Sequence, residues 1–162
     1  MIFKASLDKV AKAVTIGVTI LFATMIIVQF FLIHDKDKTI QIFTSILLIV
    51  IYGIAYILRP IQYEVTDNDI IVRRPYKDVI IPRSEIISVQ LLDKEDLAWT
   101  VRTFGSGAFF GYYGKFANRK QGSMTWYATK NKTGAVLIIT NQHKKIVFTP
   151  DEPEAFVTAL NK

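Results

Sequence analysis

Two uncharged stretches, Ala13–Ile33 and Thr39–Leu58, lie almost back to back in this 162-residue chain and decide what its first third can become. A hydrocarbon layer about 30 Å thick is crossed by roughly 20 residues at helical rise. Each stretch reaches that length, and in the first only Gln29 is strongly polar. Both read as transmembrane helices, with Gln29 as a polar contact to the partner helix and not part of a transport path. A secretory signal is the competing reading of the first stretch, because Lys4, Lys9 and Lys12 precede it. Against it, the stretch is long for a signal core, no small-residue cleavage site follows, and the second span begins at once.

Five residues, His34–Lys38, separate the spans, so the two helices are expected to be antiparallel neighbours with both chain ends on one side. Lysine and arginine choose the side. The loop carries two lysines, whereas the arm 1–12 carries three and Arg59 opens a basic flank after the second helix. The positive-inside rule then places both termini in the cytoplasm of a multi-pass protein of the cell membrane. Tyr52, Tyr56 and Tyr63 fall around the cytoplasmic end of the second helix, where amphipathic rings suit the headgroup layer. Composition agrees: 51% of residues are hydrophobic, and the excess lies before residue 60. With no cysteine, disulfides and thiolate metal sites are excluded.

From residue 60 to 162 the pattern changes to short alternating runs. Tyr63 and Val65 alternate with Gln62, Glu64 and Thr66; Ile87, Val89 and Leu91 alternate with Ser88 and Gln90; Met124, Trp126 and Ala128 alternate with Thr125, Tyr127 and Thr129. Period two marks half-buried strands. Further β-branched runs stand at 70–72, 79–81, 135–140 and 146–148, and turn-forming residues punctuate them at 67–69, 74–75, 93–96, 131–134 and 141–142. About seven strands in an antiparallel sandwich or barrel are expected. Thr149-Pro150-Asp151-Glu152 reads as a capping box opening a short helix to about Asn161, whose Phe156, Val157 and Leu160 share one face.

Seven strands and one amphipathic C-terminal helix in about 100 residues resemble the pleckstrin-homology (PH) superfold. The stretches Arg102–Thr140 and Lys144–Val157 are similar to bacterial PH-like domain proteins that carry a pair of transmembrane helices ahead of the domain. The resemblance implies a membrane-anchored chain in which a two-helix transmembrane hairpin precedes an all-β PH-like barrel with a C-terminal capping helix. It implies fold and location more than function.

Charge is segregated along the domain. Residues 97–150 hold no acidic residue and eight cations, namely Arg102, Lys115, Arg119, Lys120, Lys130, Lys132, Lys144 and Lys145. If the fold gathers these on one face, that face attracts anionic lipid headgroups or another anionic partner; the alternative is a basic surface with no specific ligand. The inositol-lipid site of eukaryotic PH domains does not carry over, because the first loop here is Thr66-Asp67-Asn68-Asp69, and Arg73 and Arg74 on the next strand point to opposite faces. The tract Gly105–Gly114 has neither GxGxxG nor GxxxxGK[ST] spacing. It reads as a strand-to-strand loop displaying Phe104, Phe109, Phe110, Tyr112 and Tyr113. This loop either dips into the bilayer interface or docks on the helices, with Lys115 and Arg119 near the phosphates, or completes the barrel core.

Catalysis has little to work with. His34 and His143 sit in separate units, Ser106 and Ser123 lack nucleophile contexts, and the carboxylates cluster in turns. No enzyme activity, cofactor or metal is expected. Stacking on nucleic acid suits a membrane-tethered domain poorly. The expected role is a tethered module that binds a protein partner or self-associates at the cytoplasmic face. Lipid sensing through 102–145 and service as accessory subunit of a membrane complex are the alternatives. Candidate contacts are Arg102, Phe109, Phe110, Tyr112, Tyr113, Lys115, Arg119 and Lys120.

Overall fold

A computed structural model describes residues 1–31 and 38–161. Two long apolar helices, α1 (Lys9–Phe31) and α2 (Thr39–Leu58), stand antiparallel, and their outward faces leave large apolar side chains such as Ile40 and Phe43 uncovered. A helix of a soluble core would bury them; length and composition suggest membrane association. Residues 32–37 of the first span and its loop lie outside the described residues. Helix α1 begins earlier than the uncharged stretch, because the Asp8 carboxylate accepts the Ala11 N–H at 2.7 Å and caps the first turn.

Polar contacts knit the helices together. The Gln29 side-chain amide donates to Ser45 Oγ and, at 3.2 Å, to the Gln41 carbonyl, while Thr44 Oγ1 donates back to Gln29 Oε1 at 2.8 Å. Nearer the other end, the Thr19 and Tyr52 hydroxyls lie 3.2 Å apart. Gln29 is thus a helix–helix contact, as its isolation in an apolar stretch implied.

Ten strands occur among the described residues. Strands β1 (Ile2–Lys4), β2 (Gln62–Val65), β3 (Asp69–Arg73) and β4 (Val79–Pro82) form one antiparallel sheet in that order. The second sheet contains β5 (Ile86–Leu92), β6 (Val101–Ala108), β7 (Gly111–Asn118), β8 (Gly122–Ala128), β9 (Ala135–Thr140) and β10 (Lys145–Phe148), ordered β5-β9-β10-β8-β7-β6. Strand β10 runs parallel to β8, a departure from the antiparallel expectation. Helix α3 (Pro153–Leu160) closes the chain. The strands beyond the expected seven are β1, too short to show alternation, and the β6–β7 pair, which replaces the glycine-rich loop.

The core explains these assignments. Tyr63, Val65, Ile70 and Val72 from the first sheet meet Val136, Ile138 and Phe148 from the second, and Phe156 and Leu160 of α3 fill the same layer. On the other face of the second sheet, Leu137, Trp126, Phe116 and Met124 are covered by Leu97 from the segment after β5. Strand β9 is therefore buried on both faces, which is why Ala135–Ile139 reads as a continuous apolar run. Thr149 does not cap α3. Its hydroxyl oxygen accepts the Thr129 and Lys130 N–H groups at 2.8 and 3.1 Å, and the helix starts after Glu152 with Pro153 in its first turn.

One consequence of pairing positions everything else. Strands β1 and β2 are neighbours, with Phe3 opposite Tyr63, and both apolar helices are inserted between them. The helix pair is the long connection of a β-hairpin, held to the sheet at both ends.

Candidate interaction surfaces at the helix–sheet junction

The β6–β7 hairpin reaches back to the helix pair. Its tip, Ala108–Gly111, is closed by Ser106 Oγ, which lies 2.6 Å from the Phe109 carbonyl and 3.1 Å from that of Gly111. The Phe110 N–H donates to Thr15 Oγ1 of α1 at 2.9 Å, holding Phe110 in a left-handed conformation (φ +58°) that a bulky residue rarely adopts. Its ring stands edge-on to Tyr52 and Tyr56, with centroids 5.2 and 5.6 Å away, and Phe109 meets Tyr52 and Phe22 at 5.5 and 6.5 Å. Tyr52 precedes the last residue of α2 by six positions, so the tip lies alongside the helices by roughly 10 Å of helical rise.

Tyr112 and Tyr113 on β7 are buried on opposite faces and bond in opposite directions. The Tyr112 hydroxyl donates to the Asp8 carboxylate at 3.3 Å, and the Tyr113 hydroxyl donates to the Ala55 carbonyl of α2 at 2.7 Å. Burial pushes both hydroxyls up to about 12; Asp8 reinforces the rise at Tyr112, while Ser106, Arg74 and Arg59 oppose it at Tyr113. Asp8 also accepts the Asn131 N–H at 2.8 Å, so one carboxylate joins the start of α1, β7 and the segment after β8.

The eight cations of 97–150 are divided. Arg102, on the exposed edge strand β6, donates to the Gly105 carbonyl at 3.1 Å. Lys115 donates to Thr125 Oγ1 at 2.7 Å; Lys120 is paired with Asp96, and Lys130 with Asp151. The register places Arg119, Lys120, Lys144 and Lys145 at the turn end of β7 and β10 away from the helices, whereas Lys130 and Lys132 follow Ala128, next to Gly111. No single basic face results.

Arg59, Arg74 and Trp99, outside the expected set, matter more. The β2–β3 register pairs Gln62 with Arg73, which returns the chain to the helix end and sets Arg74 near Arg59, the residue after α2. Arg73 and Arg74 do diverge: Arg73 bonds Glu64 and Asp78, while Arg74 stacks over Tyr127 at 4.8 Å. The third is Trp99, 90% exposed in a left-handed conformation (φ +54°) beside Val101 at the start of β6. With Ala98, Ala117, Arg119 and Glu95 it bounds an open cleft of about 690 Å³. Asp8 was readable as an N-cap directly before an apolar run; Arg74 stood out only as a basic residue after the acidic first loop, and Trp99 carries no such signal.

Neither the comparison with curated proteins nor that with solved structures returned a match. The family model described as a bacterial PH domain matches residues 61–162, leaving β1 and both apolar helices outside it. Covering more than half of the chain, that match makes this protein a member of the bacterial PH domain family.

Proposed function

We propose that the chain is a non-enzymatic, membrane-tethered interaction module. Helices α1 and α2 cross the cell membrane with both termini cytoplasmic, and the PH-like domain receives a segment of a protein partner on the surface around Trp99 and Val101. The supporting observation is where that surface lies. Val101 pairs with Ala117, at the opposite end of the β6–β7 hairpin from the Phe109–Phe110 tip, and eight residues of strand separate them by roughly 25 Å. With the tip docked on the helices, the exposed apolar cluster is carried away from the bilayer. A protein segment suits it better than lipid.

Insertion of the helix pair between β1 and β2 supports a shared side for both chain ends, since Lys4 and Gln62 are strand partners. It also fixes the orientation of the domain, as an interaction platform needs. An exposed tryptophan held in a strained conformation, with Arg119 and Lys120 beside it, has the character of an interface hot spot for an apolar segment flanked by acidic residues.

Photo-crosslinking residues introduced at Trp99 and at Val101 of the full chain, in native membranes, test this reading. Both positions are expected to give the same discrete polypeptide adduct, and exposed Ile87 on β5 none. An adduct to a second copy of the chain would assign the surface to self-association. Lipid adducts alone would refute it.

A further inference from the structure

We infer that Arg59 and Arg74 together form a phosphate-binding site at the seam between helix α2 and the two sheets, and that its ligand is the phosphodiester of an anionic membrane lipid. The inference does not rest on the protein-partner surface, which lies at the other end of the β6–β7 hairpin.

Among the described residues, neither guanidinium donates a hydrogen bond or forms an ion pair. The Nε of each is enclosed by protein and meets no acceptor. The nearby carboxylates are engaged elsewhere: Glu64 and Asp78 hold Arg73, and Asp78 also accepts the Arg74 backbone N–H at 3.0 Å. Asp78 feels the Arg74 charge without forming an ion pair with it; a half-buried guanidinium with no hydrogen-bonded acceptor is costly, and an arginine offers a fork of donors shaped for phosphate.

What positions the two side chains is aromatic. The Arg59 guanidinium lies 4.3 Å from the Tyr56 ring centroid and 5.5 Å from that of Phe110, and Arg74 lies over Tyr127. Such stacking fixes the plane of a guanidinium while leaving its in-plane donors available. The Tyr113 hydroxyl, bonded to the Ala55 carbonyl of α2 at 2.7 Å, feels both cations, and Tyr113 lines the same groove as Arg74. Arg74 lines a groove of about 520 Å³ with Leu58, the residue before Arg59, and with Phe104, Tyr113, Tyr127 and Lys144; Glu85 is its one carboxylate.

Location selects the source of the phosphate. Arg59 directly follows the last residue of α2. If α2 spans a bilayer, this is the depth of the headgroup layer, where a lipid phosphodiester is present at high local concentration and a soluble anion is not.

The full chain, reconstituted in nanodiscs of phosphatidylcholine with or without 30% phosphatidylglycerol, tests the inference through thermal unfolding and native mass spectrometry. Phosphatidylglycerol is expected to raise the unfolding temperature of the wild type and to remain bound, and R59Q/R74Q is expected to lose both effects. K9Q/K12Q removes two exposed charges at the same end of the helices and is expected to keep them. Equal loss in the two double variants would reduce the effect to a diffuse field and overturn the site. Inorganic phosphate added to pure phosphatidylcholine discs is expected to do nothing; stabilisation equal to that by phosphatidylglycerol would overturn the lipid assignment. Should R59Q/R74Q fail to fold, R59K/R74K keeps both charges without the fork. A roughly tenfold loss of lipid affinity is then expected, and unchanged affinity would overturn the site.

Discussion

Phe110 meets Tyr52 edge-on, with ring centroids 5.2 Å apart and planes at 85°, and through this contact the β6–β7 hairpin holds the domain against α2. An edge-to-face pair contributes about 1 kcal/mol beyond area burial, and truncating a buried phenylalanine costs about 3 kcal/mol. F110A is expected to release the hairpin tip while β1 and β2 still tether the domain. Limited proteolysis should find new cleavage between 105 and 113, and spin labels on Lys12 and Arg119 should show a broadened distance distribution. An unchanged distribution would mean that Tyr113 and Asp8 suffice to hold the junction.

Gly105 and Gly114 face each other across the same hairpin. Both have positive φ, +99° and +116°, and a Cβ on Gly114 would stand 2.4 Å from the Phe104 carbonyl oxygen. Alanine at Gly114 has to adopt a conformation that L-residues avoid and push a backbone carbonyl aside, so a loss of about 3 kcal/mol is expected. Gly107 is the control, because a Cβ there meets only the flexible Arg102 side chain at 3.3 Å. G107A should melt within a few degrees of wild type and G114A far below it.

These glycines also show where sequence reading reaches its limit. Strands β2 and β8 are legible because one face is apolar and buried and the other polar. In β5 the alternation of Ile87, Val89 and Leu91 located the strand but not its buried face, since Ile87 and Leu91 are exposed, Leu92 is buried, and the register shifts between Ile86 and Ser88. Strand β7 conceals its period, since Gly111, Tyr112 and Tyr113 are all buried, one face on the sheet's own core and the other on the helices. Strand β6 conceals it the opposite way, being an edge exposed along most of its length. The tract therefore looks like a loop. At the junction, Phe109 and Phe110 stood out as aromatic residues with no strand to fill, and docking on the helices was among the readings they allowed. Arg59 and Arg74 did not stand out as a pair, for their proximity follows from the Gln62–Arg73 register, a tertiary fact that local pattern does not carry.

Asp8 ties α1 to β7 and to the segment after β8 through the Ala11 N–H, the Tyr112 hydroxyl and the Asn131 N–H. Loss of an N-cap carboxylate costs about 1 kcal/mol, and each stranded buried donor adds about 1 kcal/mol more. D8A is expected to lower the unfolding temperature in detergent by several degrees more than D8N, whose amide oxygen still caps the helix but leaves one of the three donors unmet. Equal effects of the two variants would show that the negative charge, not the acceptor count, matters.

Asp151 fastens the stretch between β1 and α1 to the domain. Ser6 Oγ donates to it at 2.6 Å, Lys130 Nζ lies 2.7 Å away, and its own N–H donates to the Lys4 carbonyl at 2.9 Å. Burial alone would push the carboxyl up, but the hydrogen bonds from Lys130 and Ser6 outweigh it and hold the group below the ordinary carboxylate value. A carboxylate depressed in the folded state stabilises it at every pH above the unfolded value, near 4, and that contribution disappears as pH falls through the folded value. Screening at this partly exposed pair limits the contribution to about 1 kcal/mol. D151N is therefore expected to melt lower than wild type at pH 7, with the two curves converging as pH drops below about 4. A gap that persists unchanged at pH 3 would assign the loss to packing instead of charge.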